Sequence, residues 1–196
     1  MLNNKYRKSY KRISKSYNSI DLLSKEYEDL VFFKSKIQKS NVLNCKFIDL
    51  EFLSSKFESS NASNIDLEKS VIKNSEIKGS KLTGANFYNS IIENTIFENC
   101  KMNLNDFTLC KIKNTKFINC DLSLSSFQGG ELKNVSFINC NLKEVDFSAC
   151  NLKNIDLRKS ILDKTKIEIS SFKELIINED QLLFFVSALG ITIKRN

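Results

Sequence analysis

The chain contains no histidine, no tryptophan and no proline. Without histidine, the commonest general base near neutral pH and the commonest metal-binding imidazole are both missing, so catalysis starts at a disadvantage. No stretch reaches the ~18 consecutive apolar residues of a membrane span, and no apolar run follows the basic N-terminus to form a signal peptide. These absences predict a cytoplasmic protein with no membrane span. At 196 residues the chain suits one domain with one continuous core.

Six cysteines are present, too few for a chain of this length to be a disulfide-stapled scaffold, and free thiols are expected. The net charge of +7 is unevenly placed. Lys5, Arg7, Lys8, Lys11, Arg12 and Lys15 contribute +6 before the first acid, Asp21, and the remainder is close to neutral. Interspersed with Tyr6, Tyr10 and Tyr17, this segment has the composition of a solubilising tail, and also of an arm that contacts nucleic acid or an anionic surface.

The dominant pattern is an apolar residue at every fifth position, a period of neither helix nor strand. It runs from Phe32 through Ile37, Val42, Phe47, Phe52 and Phe57 to Phe172 and Ile177, thirty repeats without a slip. Two residues before each comes a mostly small one, such as Ser35, Ser40, Ala85, Thr95 or Cys100, and all six cysteines fall in that series. Asn or Asp often sits between the two, as in Ala85-Asn86-Phe87, Val145-Asp146-Phe147 and Ile155-Asp156-Leu157.

These residues make the sequence similar to the pentapeptide-repeat family. The resemblance implies an all-β solenoid, a right-handed quadrilateral β-helix with four repeats per coil and about seven coils. Residues twenty apart then stack, and the sequence agrees independently. Phe87, Phe107, Phe127 and Phe147 form one ladder, and Phe97, Phe117 and Phe137 another on the opposite face. Ile92, Ile112, Leu132 and Leu152 line the third face, and Met102, Leu122, Leu142 and Leu162 the fourth. At a strand spacing of about 4.8 Å the rod is about 36 Å long. The expected layout is a basic arm and entry over 1–29, the β-helix over 30–177, and a C-terminal helix and short strand over 178–196.

The same counting yields the candidate sites. Cys100, Cys120 and Cys140 stack inward, as do Cys110 and Cys150, in parallel and without convergence on a metal; no cofactor, metal or catalytic residue is expected. Asp66, Asp106 and Asp146, with Asp49 and Glu68, form an acidic face on a convex surface, with no pocket to separate an acid from a base. Lys113, Lys133, Lys153 and Lys173 form a cationic ladder able to track phosphates, diluted by Glu93, Glu131 and Glu174. Beside them Asn74, Asn94, Asn114, Asn134 and Asn154 mark a corner where left-handed backbone is expected. Ile118 with Ile138, and Leu104 with Leu124, are outward apolar pairs.

At the C-terminus, Asn178 and Gln181 read as a capping box, Gly190 as a helix stop and Ile191-Thr192-Ile193 as a strand. Between them Leu182, Leu183, Phe184, Phe185, Val186 and Leu189 exceed what a simple end cap buries. The family resemblance implies a homodimer through this helix. It also implies binding to DNA gyrase or topoisomerase IV, protective or inhibitory, by a rod resembling acidic duplex DNA. The near-neutral rod and the lack of projecting loops depart from that pattern. The resulting expectation is a non-enzymatic protein-binding scaffold, with a type II topoisomerase as its most concrete partner. Nucleic-acid binding and a purely structural role stand as alternatives.

Overall fold

A computed structural model describes residues 11–192 and residue 194. Every residue at a position ending in 4 or 9, from Ser19 to Lys164, has φ between +48° and +71°. That left-handed residue turns the chain, and only four residues remain between corners, so each repeat contributes one short edge of a square. Asn and Gly are the residues that adopt this conformation most readily, which accounts for Asn74, Asn94, Asn114, Asn134 and Asn154 at such corners.

The edges stack in parallel with a twenty-residue offset. One face is a seven-stranded sheet of Lys11–Ile13, Leu30–Phe33, Glu51–Leu53, Val71–Lys73, Ile91–Glu93, Lys111–Lys113 and Glu131–Lys133. The next face is a second seven-stranded sheet of Ser16–Asn18, Lys36–Gln38, Lys56–Glu58, Glu76–Lys78, Ile96–Glu98, Lys116–Ile118 and Ser136–Ile138. The two remaining faces pair mainly through single bridges, such as Asn61 with Lys81 and Asp66 with Asn86. The chain is a quadrilateral parallel β-helix.

The fifth-position residues fill its interior. Phe87, Phe107 and Phe127 stack face to face with centroids 4.7 and 4.6 Å apart, and Phe97, Phe117 and Phe137 stack at 4.9 and 5.0 Å. The two ladders meet edge to face across the interior, Phe107 to Phe117 at 6.1 Å. Both geometries suit the ring quadrupole and add to the gain from apolar burial.

The small residues have a second task besides fitting. Their hydroxyls receive the backbone N–H of the residue twenty before, as when Ser35 and Ser55 donate to Oγ of Ser55 and Ser75 at 3.0 and 3.1 Å. They also donate to carbonyls: Ser90 Oγ reaches Leu67 O at 2.8 Å. Cys110 Sγ and Cys150 Sγ make the equivalent bonds to Phe87 O and Phe127 O. Serine and cysteine thus satisfy buried main-chain groups near the corners that the β-ladders miss.

Two sequence expectations change. The solenoid begins at least as early as Lys11, so Lys11 to Tyr17 belong to its first coil, with strands at Lys11–Ile13 and Ser16–Asn18, and are not a tail. Tyr17, Leu22 and Tyr27 continue the five-residue series, but the face before them is shifted by one: Ile13 pairs with Phe32, whereas Tyr17 pairs with Ile37. Arg12 therefore occupies the five-residue register while Ile13 supplies the apolar side chain. The rest of the basic segment, Lys5 to Tyr10, lies outside the described residues. The second change is at the other end, where Ile191 and Thr192 form no strand and Ile193 lies outside the described residues.

The C-terminal end is covered by a 3-10 turn, Glu179–Gln181, running into helix α1, Leu182–Ala188. Asn178 N–H donates to Gln181 Oε1 at 3.0 Å, the return bond of a capping box. Gln181 is itself buried and donates from Nε2 to the carbonyls of Leu157 and Ser160, both at 2.7 Å, pinning the cap to the last coil. Gly190, at φ +74°, ends the helix in a Schellman arrangement: Gly190 N–H bonds Ser187 O and Ile191 N–H bonds Val186 O.

Candidate functional site

Because the coils stack at one offset, any residue type repeated every twenty positions becomes a straight column on the surface. The acidic face is such a column, read along the rod as Lys46, Asp66, Asn86, Asp106, Ser126, Asp146 and Lys166. Asp66, Asp106 and Asp146 do share it. Each is half-buried, and each uses Oδ1 to accept the backbone N–H two residues on, from Glu68, Thr108 and Ser148 at 3.1, 2.8 and 2.8 Å. Lys166 closes one end through a 3.3 Å ion pair with Asp146. Lys46 closes the other and pairs with Glu26 at 3.7 Å. For Asp146, partial burial favours the neutral acid, but hydrogen bonds from Ser148 and Lys166 outweigh it and hold the carboxyl below its ordinary range.

Asp49 and Glu68 belong to the same face, Asp49 at a corner. Lys69 pairs with Glu68, which raises the lysine's affinity for its proton first by hydrogen bonding and then by charge, and Asp49 adds to it. The face is thus a row of three spaced carboxylates with cations at its margins. Those cations, Lys46, Lys69 and Lys166, escape a reading confined to the acids, although counting in twenties from Asp146 reaches Lys166 directly.

Lys113 and Lys133 are neighbours in sheet register, with Glu93 preceding Lys113. Lys153 and Lys173 continue their twenty-residue spacing. All four are exposed. Lys153 pairs with Glu174 at 3.2 Å, while Glu93 pairs with Lys73 at 2.9 Å, an interaction that holds its carboxyl below the ordinary range. Glu131 pairs at 3.5 Å with Lys111, its register partner in the coil before, in the column beside that of Lys113 and Lys133. Among the described residues no salt bridge engages Lys113 or Lys133.

Leu104 and Leu124 are exposed at corners with φ +62° and +60°, and Leu109 at φ +58° is exposed on the next corner. Ile118 and Ile138 are half-buried and paired in the sheet. All six cysteines are free and buried. Burial pushes the Cys110 thiol up to about 12 and the Cys150 thiol up to about 11, so neither presents a thiolate near neutral pH. Among the described residues no group of three or more Cys, Asp or Glu side chains is arranged to hold a metal ion. No helix there is long and apolar enough to cross a membrane.

On α1, Phe185 is buried and meets Phe172 and Phe184 edge to face at 5.0 and 5.1 Å. Phe184 and Val186 are half-buried, whereas Leu182 and Leu183 expose more than half of their surface and Leu189 nearly half. The six apolar residues singled out from the sequence therefore divide between a face that closes the solenoid and a face that points to solvent.

A square parallel coil with two residues in five buried, one large and one small, and one left-handed defines a class of protein by its geometry. The chain belongs to the pentapeptide-repeat family: a model described as "Pentapeptide repeat region" matches residues 78–137 and 110–183, and one described as "Pentapeptide repeats (8 copies)" matches residues 51–87. Two solved structures share the fold, both of trypsin-treated variants of QnrB1, described as a plasmid-mediated fluoroquinolone resistance protein. The first is 18% identical with a TM-score of 0.57, covering 92% of this chain and 100% of its own. The second is 16% identical with a TM-score of 0.56, covering 90% and 100%. No curated protein matches the sequence significantly.

Proposed function

We propose that the protein is a non-catalytic protein-binding scaffold and that its partner is a type II topoisomerase, most concretely DNA gyrase. The observation that supports this reading is the alignment of Asp66, Asp106 and Asp146 on one straight column, two coils apart and held by backbone N–H groups. Fixed carboxylates at regular intervals on a rigid rod offer a charge pattern that a DNA-binding cleft reads. In this reading the protein acts in the cytoplasm as a homodimer. The exposed Leu182 and Leu183 beside the buried Phe185 supply an apolar face for a second copy.

The test is a purified gyrase supercoiling assay, with and without a quinolone, titrated with the protein and with an Asp66→Asn, Asp106→Asn, Asp146→Asn variant. Asparagine keeps Oδ1 as acceptor for the local backbone bond, so the variant removes charge and leaves the turn intact. Rescue or inhibition by the wild type and not by the variant is the expected result. No effect at micromolar protein excludes the topoisomerase.

A second reading rests on Lys113 and Lys133, two stacked cations without salt bridges among the described residues. Binding to a polyanion through them predicts retention on DNA or heparin that weakens steeply with salt. A Lys113→Gln, Lys133→Gln variant should then elute earlier; retention unchanged by that variant rejects it.

A further inference from the structure

The solenoid is not equally filled along its length. From Phe87 onward the aromatic ladders are fully buried, whereas Tyr17, Leu22, Tyr27 and Phe32 at the N-terminal end are only partly so. Between them lies an apolar cavity of about 350 Å³, reaching from Lys11, Ile13 and Tyr17 at the first coil to Phe87 and Phe97. Its cause is legible in the repeat. One coil contributes Ala62, Leu67, Ile72 and Ile77 to the interior, with no aromatic ring, where a later coil contributes Phe107, Ile112, Phe117 and Leu122.

The dimensions select an occupant. Tyr17 and Phe97 are four coils apart, about 19 Å at a rise of ~4.8 Å per coil. Spread over that depth, a volume of about 350 Å³ makes a long, narrow, apolar space. That is the shape of one extended alkyl chain, whereas a compact ring compound would fill only a short part of its length. An apolar void holds no water and leaves its lining short of contacts, so an alkyl chain inserted along the axis restores what the missing side chains do not provide. Among the described residues that line the cavity the one charged side chain is Lys11, and the segment from Lys11 to Lys39 carries seven Lys or Arg residues against four Asp or Glu residues.

We propose that the N-terminal end of the solenoid binds a single-chain anionic amphiphile, a fatty acid, with its alkyl chain along the axis and its carboxylate at the Lys11 rim. This site lies at the opposite end from α1 and does not depend on the topoisomerase reading.

Equilibrium dialysis of the full-length protein against laurate, below micelle-forming concentration, tests it. Saturable one-to-one binding is expected. Dodecyltrimethylammonium, with the same tail and the opposite charge, should bind at least tenfold more weakly. Ala62→Phe, which fills the thinly packed coil, should lower laurate affinity at least tenfold while thermal melting shows the variant folded. Lys11→Glu, at the rim and outside the core, should reverse the preference between the two amphiphiles, and it serves alone if Ala62→Phe does not fold. Absence of saturable laurate binding overturns the proposal. So does a folded Ala62→Phe variant that binds like the wild type, or a charge preference unmoved by Lys11→Glu.

Discussion

Asn105 stands in a column whose neighbours Ala85 and Ser125 are small, and it is buried there. Its Oδ1 accepts the Ala85 N–H at 2.9 Å, but its Nδ2 has no partner. A buried unpaired donor costs about 1–3 kcal/mol. Serine at this position would accept the same N–H and donate to a carbonyl, as Ser125 does to Met102 O at 3.0 Å. Asn105→Ser is therefore expected to stabilise the protein by about 1 kcal/mol in urea denaturation; a loss of stability would mean that its packing outweighs the unpaired group. The thiols set a pH dependence. Unfolded cysteine ionises near ~8.5, whereas Cys110 and Cys150 in the folded chain hold their protons up to about 12 and about 11. As pH rises from ~8.5 towards 11 the unfolded chain releases protons that the native state keeps, so stability falls with pH across that window. Melting temperature should decline over this range, and a Cys110→Ser, Cys150→Ser variant should decline less.

Corner columns behave as elements in their own right. Asn94, Asn114 and Asn134 are linked Nδ2 to Oδ1 at 3.0 Å per step, each with left-handed backbone. Two contributions are superimposed there, and two substitutions separate them. Asn114→Ala loses both ladder bonds and puts at the corner a residue that, unlike Asn, tolerates left-handed backbone poorly, at a cost of about 1–2 kcal/mol; Asn114→Gly loses the bonds in a residue to which that conformation costs nothing. The alanine variant should be about 2 kcal/mol less stable than wild type and the glycine variant less than half as affected, measured by chemical denaturation. Equal losses would assign the effect to the side-chain column. This element was legible in the sequence, because Asn recurs every twenty residues from Asn74 to Asn154. The ladders of Phe87 and Phe97 were legible for the same reason. The first coil was not, since one residue fewer before Tyr17 puts Arg12 where an apolar residue is expected and hides Ile13. Pairings across columns, such as Lys153 with Glu174 or Gln181 with Leu157 O, depend on side-chain reach that repeat counting does not carry.

For the whole molecule, the ends differ more than the faces do. The C-terminal end is closed by Phe172, Phe184, Phe185 and Gln181, yet it presents Leu182, Leu183 and Leu189 outward. If two copies meet there, Leu183→Glu should convert a dimer to a monomer in sedimentation without lowering the melting temperature of the solenoid; a wild type that sediments as a monomer at all concentrations rejects the dimer. What the rod presents around its sides was harder to read, because three positions in five answer to solvent and only their neighbours twenty residues away decide which charges are neutralised. The twenty-residue offset kept beyond the first strand also makes the molecule a mechanical device. Every coil is held to the next by bonds such as Leu82 N–H to Lys101 O, so a pull on the two ends loads one coil boundary at a time. Each coil that peels away frees twenty residues of contour, about 70 Å at ~3.3–3.6 Å per residue, less the ~4.8 Å it occupied in the stack. Drawn out in an optical trap, the chain should lengthen in regular steps of about 65 Å, like a spring unwound turn by turn.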